Sequence, residues 1–160
     1  RIDSRKLEET LRELSRLFKA LNGKRLMDIK FEEVNVHCQG KKNAEMIKEI
    51  YARLVCKEMK GIGPTSASKI MHCVVPQLFM MWDDKIRNGY GYAGNEIGYL
   101  RFMREMQRIL RGIMETYDKT PEELCHEAYP YNKTLAKLLD EFNYMKFTKG
   151  KDLPNPIEES

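Results

Sequence analysis

The chain has 160 residues, 42% hydrophobic and 32% charged, with a mean hydropathy of −0.59. That is one domain's length, enough to bury roughly 70% of the surface of the unfolded chain without a disulfide or metal staple, and the composition excludes a disordered tail. No segment approaches the ~18 apolar residues of a membrane span, so no membrane partner is expected.

The longest apolar stretch, 70–82, is broken by His72, Pro76 and Gln77. No secretory signal opens the chain, and a start at Arg1 rather than Met is what a trimmed or excised piece would show. The formal net charge is +4 and the pI about 8.8, unevenly spread: residues 1–40 carry +2, 41–112 carry +6 and 113–160 carry −4. A basic middle is what a polyanion-facing region requires. Cys38, Cys56, Cys73 and Cys125 form no C-x-x-C clip, which removes the common zinc and iron–sulfur patterns and leaves reduced thiols in an intracellular compartment as the default. Each histidine neighbours a cysteine (His37-Cys38, His72-Cys73, Cys125-His126). Helix neighbours point ~100° apart, so one such pair does not clamp an ion.

In chain order, Leu7, Leu11, Leu14, Leu17, Phe18 and Leu21 have helical period, and Asn22-Gly23 closes that helix. Residues 24–40 read as one or two helical turns and then loop through Gln39-Gly40, with an extended stretch as the alternative. Asn43 is placed to cap a helix to about Met59, with Ile47, Ile50, Tyr51 and Leu54 inward. Gly61-Ile62-Gly63-Pro64 stops it, and a second helix from near Thr65 buries Ala67, Ile70, Met71 and Val74 until Pro76. Residues 77–82 (QLFMMW) read as a buried linker, and 88–94 as loop. Asn95 caps a long helix to about Met114, with Phe102, Met103, Met106, Ile109, Leu110 and Ile113 inward. Thr120-Pro121-Glu122-Glu123 is a capping box opening a helix to about Ala128. Asn132 is assigned as cap of a last helix carrying Leu135, Leu138, Leu139 and Phe142, and residues 150–160 read as a flexible tail. The expectation is a single all-α domain over 1–160, with about six or seven helices and no strand ladder.

The segment 59–87 carries the chemistry. Two glycines permit a tight turn and close approach of another backbone, and amides at the following helix N-terminus attract anions without reading sequence. Ile62 plugs the hairpin between its helices. A plain turn joining two core helices is the other reading of the same residues.

With Gly61-Ile62-Gly63, Ser66-Ala67, Pro76, the apolar 79–82, Asp83, Ile86 and Arg87, the stretch resembles the helix-hairpin-helix motif (about 43–75), and more narrowly the DNA glycosylases that join this motif to a Gly/Pro-rich loop and an aspartate. The resemblance implies DNA as partner, with the phosphate grip at Lys60, Gly61, Ile62, Gly63, Thr65, Ser66 and Lys69, and a monovalent cation on the Gly61 and Gly63 carbonyls. It implies no other cofactor. It makes Asp83 the essential carboxylate, stabilising charge on the sugar as a flipped base leaves. Aligning the hairpin puts the lysine of bifunctional members at Thr65, which forms no Schiff base. The implied enzyme therefore uses water, and the alternative is a non-catalytic binding module. The chain departs from the family in its roughly sixty residues before the hairpin, in the doubled Asp83-Asp84 and in Trp82 where a smaller aliphatic is common. Asp83 also reads as a helix cap. Trp82, Tyr90 and Tyr92 are candidates for a base pocket or for core, since stacking on a base contributes about 1–3 kcal/mol. Arg101, Arg104, Arg108 and Arg111 fall within an arc of about 80° at 100° per residue, either a phosphate-tracking ridge or a solvated face.

Overall fold

The computed structural model describes residues 2–128, 133–154 and 156–157. Among these residues the fold is all-α, with seven helices and one two-stranded ladder. The helices are α1 (Ser4–Leu21), α2 (Asn43–Leu54), α3 (Pro64–Val74), α4 (Asp84–Gly89), α5 (Glu96–Tyr117), α6 (Pro121–Ala128) and α7 (Leu135–Asn143), the last running on into a π-helical turn at Tyr144–Thr148. No helix of the described residues is long and apolar enough to cross a membrane.

Helix α1 follows its leucine period. Asp3 caps it, accepting from Lys6 N at 3.1 Å, and Leu14, Leu17, Phe18 and Leu21 are buried. Residues 24–42 differ from expectation. After two turns, Val34–Asn35 (β1) pairs antiparallel with Lys41–Lys42 (β2), around a 3₁₀ turn at Val36–Cys38. Gln39 and Gly40 reverse the chain with φ of 56° and 72°, which is how a run too short for any strand period still forms a ladder. Asn43 is the first residue of α2 rather than its cap. It is 1% exposed, and its Nδ2 donates to Lys30 O at 2.8 Å. The first amides of α2 are satisfied by the preceding loop, Asn43 N by Glu33 O (2.9 Å) and Ala44 N by Phe31 O (2.8 Å).

Ile47, Ile50, Tyr51 and Leu54 are all fully buried, but α2 ends at Leu54, five residues earlier than the apolar pattern suggests. Residues 55–60 instead form turns that carry Met59 into the core. On α3, Ala67 and Met71 are buried as expected, whereas Val74 is 43% exposed because the helix ends there and its last turn leaves the core.

Of the linker 77–82, Gln77 is exposed, Met81 half-buried and the rest buried; Leu78 N and Phe79 N donate back to Val75 O at 3.1 Å, but the remaining irregular backbone cannot satisfy its own polar groups. Side chains do so. His72 Nδ1 is 2.7 Å from Phe79 O and so donates to it. Tyr99 OH donates to Met80 O at 2.8 Å, and Met80 N contacts Met103 Sδ at 3.4 Å. Met81 N donates to Asp140 Oδ1 at 3.2 Å. Ser68 Oγ accepts from Trp82 N at 3.2 Å and lies within 3.2 Å of Trp82 O.

Asn95 caps α5 as read, accepting from Gly98 N at 2.9 Å. The loop returns so closely that a Cβ on Gly98 would lie 1.9 Å from Ala93 O. Helix α5 runs to Tyr117 and lays Phe102, Met103, Met106, Ile109 and Leu110 on α2 and α7. The Thr120 capping box closes through Glu123 (2.8 and 3.2 Å). Asn132 lies outside the described residues, and Thr134 caps α7, accepting from Lys137 N at 3.2 Å. Beyond it, Ile157 packs at Gly112 of α5.

Asp140 on α7 is 5% exposed and its Oδ2 is buried without a hydrogen-bond partner. Burial pushes its carboxyl up to about 7, against the opposing effects of Lys137 and the Met81 amide. A carboxyl raised in the folded state binds more protons folded than unfolded between pH 4 and 7, so its contribution to stability is present at acid pH and lost as pH rises through about 7. Urea unfolding at pH 4.5 and pH 8 should show Asp140→Asn gaining on the parent protein as pH rises, by up to about 3 kcal/mol. Parallel pH profiles for the two proteins would contradict it.

Candidate functional site

The hairpin is built from three backbone states. Gly61 has φ +83°, Ile62 is buried at 6% exposed, and Gly63 is extended. Only a residue without Cβ takes the first state without strain. Ile62 N donates back to Met59 O at 3.1 Å, which closes the turn. Gly63 is the N-cap of the eleven-residue α3 and Pro64 fills its first turn. The N-cap makes no side-chain hydrogen bond to this end, so the first amides of α3 are left without a cap at the positive end of the helix dipole. Lys60 and Lys69 are exposed on either side of it, while Thr65 and Ser66 are half-buried.

Asp83 is tied to this hairpin through its neighbour. Trp82 Nε1 donates to Pro64 O at 3.2 Å, in the first turn of α3, and the Trp82 backbone is held by Ser68. One residue later the chain reaches the surface and Asp83 caps α4, its Oδ1 accepting from Ile86 N at 2.8 Å. Its Oδ2 accepts from Thr148 Oγ1 at 2.5 Å. Partial burial pushes the Asp83 carboxyl up. The bonds from Thr148 and from the Ile86 and Lys85 amides, with the Lys85 charge, outweigh that and hold it below the ordinary carboxylate range. Asp84 is exposed and pairs with Arg87 at 2.9 Å. Arg87 in turn packs on Gly94, where a Cβ would lie 2.0 Å from its Nη1 and 3.0 Å from Pro64 Cγ. The starts of α3 and α5 thus meet at Pro64 and Gly94.

The aromatic candidates separate. Trp82 is 1% exposed, in contact with Tyr51, Tyr99 and Phe102 at centroid distances of 6.0, 5.2 and 5.1 Å. The structure places it in the core. Tyr90 is half-buried, donates to Asn143 Oδ1 at 2.7 Å and is pushed up to about 12 by burial. Tyr92 stacks parallel to Tyr90 at 6.4 Å and is half-buried beside Glu105, Arg101 and Arg108.

The four arginines of α5 do not form one free ridge. Arg104 pairs with Glu32 and lies 4.9 Å over the Phe31 ring. Arg108 is held by Glu105 on its own helix (2.8 Å). Arg111 donates twice to Met27 O, at 3.1 and 3.0 Å. Arg101 is exposed. The segment holding Arg104 and Arg111 meets the chain at Gln77, where Leu26 N donates to Gln77 O at 2.9 Å. That is past the last turn of α3, about 16 Å along the helix from the hairpin. Arg104 and Arg111 are therefore engaged by a segment that meets the far end of α3, while Arg101 is exposed on the part of α5 nearer its start, the end that meets Pro64 at Gly94.

Thr148 and Asn143, the residues that touch Asp83 and Tyr90 from the C-terminal arm, carry no sequence signal. Each contact spans more than fifty residues and joins side chains that are ordinary in a helix or tail. Among the described residues no three His, Cys, Asp or Glu side chains converge as a metal site requires, and Cys38, Cys56 and Cys73 are free. The Cys125 thiol lies outside the described residues. Comparison with protein-family models, with curated proteins and with solved structures finds no match to this chain.

The capping role of Asp83 is testable apart from any activity. Asp83→Ala removes the acceptor for Ile86 N and should lower unfolding free energy by about 1 kcal/mol. Asp83→Asn keeps a cap of equal rank and should cost much less. Chemical denaturation of both variants checks the ordering.

Proposed function

We propose that this protein binds DNA through its helix-hairpin-helix and acts as a glycosylase-like DNA-repair enzyme, hydrolysing the N-glycosidic bond of a damaged or mismatched base with Asp83 and water. The observation that carries the reading is the Trp82–Pro64 hydrogen bond at 3.2 Å, which ties the residue before Asp83 to the first turn of the hairpin's second helix. A phosphate held on the Thr65 and Ser66 amides, flanked by Lys60 and Lys69, would bring the sugar of the same strand toward the carboxylate. The low-lying Asp83 carboxyl is ionised at neutral pH, the state needed to stabilise positive charge on the sugar as the base departs. Thr65 at the hairpin excludes a Schiff-base route there. Tyr92, half-buried beside Arg101, would be the aromatic that stacks on an extruded base, since Trp82 lies in the core. The Gly63 carbonyl already accepts from Ala67 N at 3.0 Å. It therefore offers a monovalent cation its second lone pair, which fits weak ligation shared with Gly61. Free thiols at Cys56 and Cys73 suit a reducing intracellular compartment.

A second reading is favoured by the engagement of both Asp83 oxygens, by Ile86 N and by Thr148. In it the domain keeps the hairpin grip and performs no chemistry.

Duplex binding should weaken steeply as salt rises, because the grip is on phosphates. Affinity indifferent to salt would remove both readings. Across a panel of lesion-bearing oligonucleotides, the parent protein should release a base, and Asp83→Asn should slow that release by about 10²–10⁴-fold. Equal release by the two proteins would take Asp83 out of the mechanism, and salt-sensitive binding with no release anywhere on the panel would establish the module. Borohydride should trap no cross-link to an abasic site.

A further inference from the structure

Asp83 is held from two directions. Its own helix supplies the Ile86 amide, but its second oxygen is held by a side chain 65 residues away, Thr148, at 2.5 Å. Thr148 ends the π-helical turn that continues α7, and such turns are rare and concentrate at functional sites. The extra residue in the turn brings Phe147 and Thr148 together onto α4. The Phe147 ring fills the space beside Gly89, where a Cβ would lie 2.2 Å from it, and packs on Tyr90 with centroids 4.9 Å apart. Lys85 Nζ donates to Thr148 O at 3.2 Å, and Lys149 N donates to Tyr144 O at 2.9 Å, closing the turn. Upstream, Asn143 is tied to Tyr90 and Asp140 to Met81. The arm is thus fastened before the hydroxyl, at Asp140, Asn143 and Phe147, and at Thr148 itself, as an orienting group must be.

We propose that Thr148 is the positioning residue of Asp83: its hydroxyl holds Oδ2 in one direction and leaves the remaining lone pairs of the carboxylate aimed at the reacting sugar. This rests on the glycosylase reading for the chemistry, though not for the contact itself. The hydroxyl is a donor to the ionised carboxylate, and such charge-assisted bonds are the shorter and stronger kind. Aspartates that cap helices ordinarily turn one oxygen to the helix amides and the other to water. Here a fixed, half-buried donor takes the place of that water, so a protein group sets the direction of the carboxylate.

The test uses Thr148→Val, which keeps the shape and removes the donor, and Thr148→Ser, which restores the donor. Carbon-13 NMR titration of the Asp83 carboxyl should show its midpoint moving to higher pH in Thr148→Val and returning in Thr148→Ser. In base-release assays Thr148→Val should lose roughly tenfold to a hundredfold in kcat, with its acid limb moved the same way and duplex Kd unchanged, and Thr148→Ser should recover most of the rate. An Asp83 midpoint identical in all three proteins overturns the proposal, as does full activity in Thr148→Val. A parent protein that releases no base while the Asp83 midpoint still moves would sink the glycosylase reading and leave the positioning contact standing.

Discussion

A buried, irregular stretch of backbone has to find hydrogen bonds from side chains, and residues 79–82 are that stretch. Five side chains from three helices converge on it: Ser68 and His72 from α3, Tyr99 and Met103 from α5, and Asp140 from α7. An unsatisfied buried amide or carbonyl costs about 1–3 kcal/mol, so these contacts set where the helices stand relative to one another. Trp82 completes the arrangement. Its ring fills the space between Tyr51, Tyr99 and Phe102 while its Nε1 reaches Pro64. Most of the core's aromatic area is assembled at this point, where large rings contribute most of the burial energy.

Asp83 inherits its place from that linker. The chain leaves the core at Trp82, whose Nε1 reaches Pro64 in the first turn of α3, and turns immediately into α4 with Asp83 as its cap. The C-terminal arm then closes over α4 from outside, using Asp140, Asn143, Phe147 and Thr148. Its most costly member is Asp140, whose buried carboxyl is raised to about 7. Holding the Met81 amide with an ionisable group makes the attachment of the arm sensitive to pH, and the arm carries the hydroxyl that touches Asp83.

Charge behaves differently from what segment totals suggest. Residues 41–112 are the basic part of the chain, but Arg104, Lys41, Lys42 and Arg53 are paired with Glu32, Glu49 and Glu13, and Arg111 is held by a backbone carbonyl. Lys57, Lys60 and Lys69, close to the hairpin in sequence, are exposed. An 80° arc of arginines on a helical wheel was legible; that the segment 27–32 would fold against half of it was not. Helical periodicity reports which side of a helix is apolar and says nothing about which loop covers its polar side. Lys42 likewise pairs with Glu32, just before the short ladder, which formed from residues too few to show alternation.

By itself the sequence determined the helices with strong local signals. The leucine period of α1, the Asn95 cap and apolar face of α5, and the Thr120–Glu123 box of α6 all lie within a few residues of their causes, because capping and periodicity act over one or two turns. It also determined that most of the linker 77–82 is buried, all but Gln77 and part of Met81, that Ile62 plugs a glycine turn and that Asp83 has the spacing to cap a helix. Tertiary structure decided what those groups touch. Asn43 became a bracket inside the fold instead of a cap, α2 stopped at Leu54, Trp82 went to the core and the arginine ridge was divided. Asp83 acquired a partner at Thr148, across 65 residues. Contacts of that range depend on how whole helices pack, and packing is settled by the backbone demands of the buried linker and the volume of its tryptophan, which no local pattern records.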